Sequence, residues 1–107
     1  MKLTGKAKQE FEKWFLKGMR TDEGYDQYVM RSFSSKAESM KWGVYVDFAD
    51  SLNNRVDIIC RICILIMETQ KGFAYTINGS VSDTFKTRPE ARTAAIEKFN
   101  EIFNNTN

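Results

Sequence analysis

Cys60-Arg61-Ile62-Cys63 is a CxxC pair, the spacing of a dithiol redox centre or of half a zinc site. Redox chemistry needs the first thiol at a helix N-terminus, where the helix dipole lowers its pKa. Here the pair lies inside a β-branched run. In a strand, residues three apart point to opposite faces, so these two thiols do not readily close a disulfide. A structural zinc needs two more ligands, and the 107-residue chain has no other cysteine and no histidine. Only a zinc shared across a dimer would satisfy that count. Buried, inert thiols are the expectation. The absence of histidine also excludes, within one chain, a Ser-His-Asp triad, an HExxH metalloprotease and a two-His-one-carboxylate iron site.

Carboxylates are the remaining catalytic groups. Asp47 and Asp50, three apart, share one face if they lie on a helix, where they either hold a divalent cation or are simply solvated. Asp57…Glu68-Thr69-Gln70-Lys71 resembles the acidic-plus-lysine arrangement of metal-dependent nucleases, but it reads E-x-x-K where that pattern has E-x-K. No P-loop, GxGxxG or GxSxG occurs. The sequence therefore predicts no catalytic residues, no metal and no cofactor.

That leaves residues that bind. Lys71, Lys86, Arg88 and Arg92 are the candidates for phosphate contact. Tyr25, Tyr28, Phe33, Trp42 and Tyr45 are the candidates for contact with a protein, because aromatic side chains dominate interface hot spots. For each of the five taken separately, packing inside the molecule is the stronger reading, and their exposure is not readable from their spacing.

The elements that must position these groups follow from periodicity. Ala7, Phe11, Trp14, Phe15 and Gly18 recur at helical spacing and predict a helix over 5–17, with Thr4 as N-cap. Residues 1–20 carry six positive and two negative side chains. This is the pattern of a solvated helix face, or of a small patch for an anionic partner. Residues 19–35 look irregular around Thr21-Asp22-Glu23-Gly24, with room for a short helix carrying Tyr25, Tyr28, Val29, Met30 and Phe33. Ser35-Lys36-Ala37-Glu38 matches a capping box, and Met40, Val44, Phe48 and Leu52 then fall every four residues. Trp42, Val44, Val46 and Phe48 also alternate as in a strand. The helix over 36–52 is preferred because the box and the ladder agree over a longer window.

After Asn53-Asn54 the chain becomes β-branched. A strand over 56–67 would place Val56, Ile58, Cys60, Ile62, Ile64 and Ile66 on one face. Its other face turns apolar only towards its end, at Leu65 and Met67. A turn at 68–72 leads to a strand over 73–77, with Phe73, Tyr75 and Ile77 pointing one way. Asn78-Gly79 is a strong hairpin signal, and Val81 and Phe85 mark a third strand over 80–86. Thr87-Arg88-Pro89-Glu90 joins a capping box to a proline in the first helical turn. Ala91, Ala95, Phe99, Ile102 and Phe103 give the helix over 88–104 its apolar face. The fold class is α+β, a three-stranded antiparallel meander with N-terminal helices and a C-terminal helix, in the order α-α-β-β-β-α and in a single domain.

Composition agrees with one small core. Apolar residues make up 42% and aromatics 13%, too many for a disordered tail. The longest apolar run, 58–67, is broken by Arg61 and is too short to span a bilayer. No apolar stretch follows Met1-Lys2-Leu3-Thr4-Gly5-Lys6, so a cytoplasmic protein is expected.

Phe85-Lys86-Thr87-Arg88-Pro89-Glu90-Ala91 is similar to the strand-to-helix junction of the small DNA-binding domains of some phage integrases, where F-x-T-x-x-E-A is common. Over 56–104 the meander-then-helix order also resembles the double-stranded-RNA-binding domain. Against this, residues 71–107 hold five positive and four negative side chains, and phosphate neutralisation dominates such binding. A second resemblance covers more of the chain. It rests on Leu3-Thr4-Gly5-Lys6, on Glu38-Ser39-Met40-Lys41-Trp42-Gly43-Val44-Tyr45-Val46-Asp47-Phe48 and on Phe85 to Lys98. These stretches look like small uncharacterised proteins of gut anaerobic bacteria and their prophages and mobile elements. The resemblance implies an accessory protein and supplies no activity. The reading that results is a non-catalytic domain acting on a protein partner, with nucleic-acid binding through the sheet and last helix as the alternative.

Overall fold

A computed structural model describes residues 1–19, 26–54 and 64–106. Helix α1 (Gly5–Met19) buries Ala7 and Phe11. Its start is made by two asparagines from the far end of the chain. Asn104 Oδ1 accepts the Ala7 N–H at 2.9 Å, and its Nδ2 donates to the Thr4 carbonyl at 3.1 Å. Asn100 Oδ1 accepts the Thr4 N–H and its Nδ2 donates to the Lys2 carbonyl, both at 2.9 Å. The cap expected from the Thr4 side chain is thus replaced: Thr4 supplies the carbonyl for the Lys8 N–H at 3.1 Å, while the capping oxygen belongs to Asn104. The two carboxamides satisfy backbone donors and acceptors that would otherwise compete for water.

A short helix, α2 (Asp26–Ser34), follows, making the order α-α-α-β-β-β-α with one more N-terminal helix than the strict expectation. It delivers Phe33 to the core. Helix α3 (Glu38–Ser51) then takes up the helical rather than the strand alternative, and a 3₁₀ turn at Leu52–Asn54 closes it. The Ser35–Glu38 capping box does not form. Ser35 Oγ is spent on the preceding turn, donating to the Ser32 carbonyl at 2.8 Å, and Ala37 stands at the cap position without a side-chain bond. Glu38 instead pairs with Lys41 at 2.9 Å and with the Met1 amino group at 3.7 Å. The buried stripe is Tyr45, Phe48, Ala49 and Leu52, at i, i+3, i+4 and i+7. Met40, the first rung of the expected ladder, lies beyond the core's edge and is 58% exposed.

The sheet is an antiparallel meander in the order β1-β2-β3: β1 (Ile64–Thr69), β2 (Gly72–Ile77) and β3 (Ser80–Val81). The expected strand residues 56–63, with both cysteines and Asp57, lie outside the described residues. Ile64 pairs with Ile77 and Ile66 with Tyr75, which puts these four side chains on one face, against the core. In the turn at 70–71, Thr69 Oγ1 donates to the Gly72 carbonyl at 2.9 Å and accepts the Lys71 N–H at 3.2 Å. Asn78 and Gly79 have φ of 52° and 86°, the two left-handed residues of a tight hairpin.

The third strand is shorter than 80–86 for a definite reason. Thr76 pairs with Val81, yet Phe73 bridges to Phe85. Two residues separate those pairings on β2 and three on the other side, so a β-bulge occupies 82–84. Ser82 fills the gap: its N–H donates to the Tyr75 carbonyl and its Oγ accepts the Tyr75 N–H, each at 2.9 Å. The bulge reverses the facing of the chain. Val81 points outwards, while Phe85 returns to the inner face and stacks on Tyr75 with centroids 6.2 Å apart.

Helix α4 (Arg88–Thr106) starts as its sequence implies, with Thr87 Oγ1 accepting the Glu90 N–H at 3.3 Å. Ala91, Ala95, Ile96, Phe99 and Phe103 are buried. Ile96 takes the place expected for Ile102, which is half-buried. The alanines let α4 lie close on β2, while Phe99 reaches Phe48 of α3 at 6.2 Å. The helix is the layer shared by the sheet and the other helices.

Candidate functional site

The structure divides the nine candidate contact residues by location. Tyr25 lies outside the described residues. Tyr28 belongs to α2, and its side chain is likewise outside them. Phe33 and Tyr45 are corrected from surface contacts to core residues, at 3% and 6% exposure. Phe33 packs against Phe11, Phe15 and Tyr45 with centroids 5.3, 5.0 and 5.6 Å away. Helices α1, α2 and α3 converge there. Burial pushes the Tyr45 hydroxyl above its usual pKa, and the Glu38 charge adds to the rise, while the Leu3 backbone N–H works the other way. Trp42 is half-buried against the core. The Glu38 carboxyl is held below its usual range chiefly by its hydrogen bond from Lys41.

The basic candidates sort differently. Lys71 sits in the β1–β2 turn, Lys86 just after the Phe85 bridge and Arg88 at the start of α4, and all three are exposed. Because Phe73 pairs with Phe85, these positions meet at one end of the sheet. The Arg88 guanidinium lies over the Phe73 ring, 5.1 Å from its centroid. Arg92, one turn further along α4, is half-buried, and its Nε has no hydrogen-bond partner among the described residues. Glu90 is exposed in the same first turn of α4 and offsets part of the charge.

Asp47 and Asp50 are exposed on α3. Among the described residues, no three acidic or thiol side chains converge on a point where a metal could sit, and no helix is long and apolar enough to cross a membrane.

The apolar surface lies apart from both the aromatic and the basic candidates, on the outer face of the sheet. Leu65 is 60% exposed, Val81 62% and Met67 39%. Leu65 pairs with Thr76, and Thr76 with Val81, so these three form one row across all three strands. Directly opposed residues share a sheet face, so the row lies on the face turned away from Ile64, Ile66 and Tyr75. Met67 and its partner Ala74 form the next row on that face. With strands roughly 4.8 Å apart, Leu65 and Val81 stand about 10 Å from each other across Thr76. The apolar end of the outer β1 face was visible in the sequence at Leu65 and Met67. Val81 was hidden, because an unbroken strand would have turned it inwards along with Phe85.

Comparison of the chain with protein-family models, with curated proteins and with solved structures gave no match.

Proposed function

We propose that this chain is a non-catalytic binding domain that presents the outer face of its sheet to a protein partner. The row Leu65–Thr76–Val81, with Met67 beside it, carries this reading. Single exposed aliphatic residues are ordinary on protein surfaces, but a contiguous set aligned by strand pairing makes a flat apolar patch. Covering one such side chain fully is worth about 1.5–3 kcal/mol. Thr76, in the centre, offers a hydroxyl that suits a polar contact inside an apolar rim. The resemblance to proteins of prophages and mobile elements supports an accessory, cytoplasmic role in which the chain acts on another component by contact.

The second reading is nucleic-acid binding at the other site, where Lys71, Lys86 and Arg88 come together at one end of the sheet. One experiment separates the two. Affinity capture from the host lysate compares the wild type with a Leu65→Lys/Val81→Lys variant, each with and without nuclease. Both positions are exposed, so the variant keeps its fold. The expected result is a protein retained by the wild type, lost from the variant and indifferent to nuclease. Equal capture by both forms would overturn the sheet-face reading. Capture that disappears with nuclease, together with salt-sensitive retention on heparin, would establish the second reading.

A further inference from the structure

A separate cleft opens at the other side of the molecule, between the start of α1, the end of α2 and the middle of α3. Its volume is about 570 Å³, within the range of roughly 300–1,000 Å³ typical of small-molecule sites. Its floor is apolar: Phe11 and Phe33 are buried there and Met30 is half-buried. Lys2 and Lys8 line its edge, both exposed, and neither is paired with a carboxylate among the described residues. The carboxylate near Tyr45, Glu38, is already engaged by Lys41 and the Met1 amino group. Glu12 is the acidic residue on the wall. It lies on α1 one turn beyond Lys8, roughly 6 Å further along the helix axis.

We propose that this cleft binds a small amphipathic carboxylic acid, its apolar body against Phe11, Met30 and Phe33 and its carboxylate between Lys2 and Lys8. The charge pattern selects that occupant. Two unpaired cations at one end favour a single anionic head, and charge-assisted bonds from lysine to carboxylate are among the stronger hydrogen bonds. Glu12, one turn beyond Lys8 on α1, repels a second negative charge, so the cleft suits a monocarboxylate and not a dicarboxylate. Tyr45 also lines the cleft, and its hydroxyl is a further hydrogen-bonding group there. The site shares no residue with the outer sheet face, so it stands or falls independently of that surface.

Titration of the full chain with decanoate, followed by NMR, tests the assignment, with decylammonium as the charge-reversed control. Decanoate is expected to shift the Leu3, Met30 and Tyr45 resonances saturably, and decylammonium is expected to leave them unmoved. A Lys2→Glu/Lys8→Glu variant keeps its fold, as its unaltered spectrum elsewhere will show, and binds decanoate roughly tenfold more weakly or worse. Equal affinity for the two amphiphiles, undiminished binding by the variant, or shifts confined to Leu65 and Val81 would each overturn the proposal.

Discussion

Asn100 and Asn104 sit one turn apart on α4, and their carboxamides meet backbone 96 to 100 residues away in sequence. Gly5 belongs to the same junction. Its φ is 57°, and a Cβ there would come within 2.9 Å of Asn104 Nδ2. Two penalties therefore apply to Gly5→Ala. The left-handed backbone costs about 1–2 kcal/mol, and Asn104 must move out of its bonds to Ala7 and Thr4. Asn104→Ala costs about 1 kcal/mol through the lost cap. The two substitutions should be less than additive, because the displacement costs nothing once Asn104 is gone. Urea unfolding of the two single variants and the double variant measures this, and strict additivity would show that the junction does not act as a unit. At this scale the sequence was only half legible. Thr4 marked the helix start correctly, but its capping oxygen comes from a residue with no local signature. Phe33 and Tyr45 carried the right periodicity, yet nothing in their spacing tells whether three such faces meet one another or the solvent.

Elements were legible where a local cap or turn dictates them and illegible where a pairing count does. Thr87, Pro89 and Glu90 announce α4, and Asn78-Gly79 announces the hairpin, because each satisfies a local backbone requirement. The bulge at 82–84 has no such marker. Its trace in the sequence is a conflict of parity: Val81 and Phe85 are four apart and would share a face in an unbroken strand. Deleting Asp83 would restore equal counts between the two pairings. Phe85 would then oppose Phe73 in a regular ladder, keeping the inner face, its stack on Tyr75 and the approach of Thr87 to its capping position. The deletion should therefore change stability by less than about 1 kcal/mol. Asp83→Ala keeps the length, alters an exposed side chain and should change stability by less than about 0.5 kcal/mol. Thermal melts of the pair decide the matter. A deletion variant destabilised by about 2 kcal/mol or more would mean that the bulge itself, and not the parity of the pairing, keeps Phe85 on the inner face.

At the scale of the whole molecule, α4 joins two layers that, among the described residues, do not otherwise share a large interface. It packs on β1 and β2 and also on α1 and α3, where Phe99 meets Phe48. The order of elements and the apolar face of α4 could be read from periodicity, but not its central place, which depends on what packs against it from each side. That placement makes the stability of the sheet conditional on the helical layer. Phe99 is 1% exposed and in contact range of both Phe48 and Phe103. Phe99→Ala should remove about 3–5 kcal/mol, a large share of the roughly 5–15 kcal/mol that holds a domain of this size. The loss should appear on both sides of α4 at once. Trp14 and Trp42 report on the helical layer by fluorescence, and amide exchange of 72–77 reports on β2. The two probes should give one coincident transition in the wild type and shift together in the variant. If exchange in β2 kept its protection while the tryptophan signal moved, the sheet would be folding on α4 without help from the helical layer, and the shared helix would be a tether between two independent units.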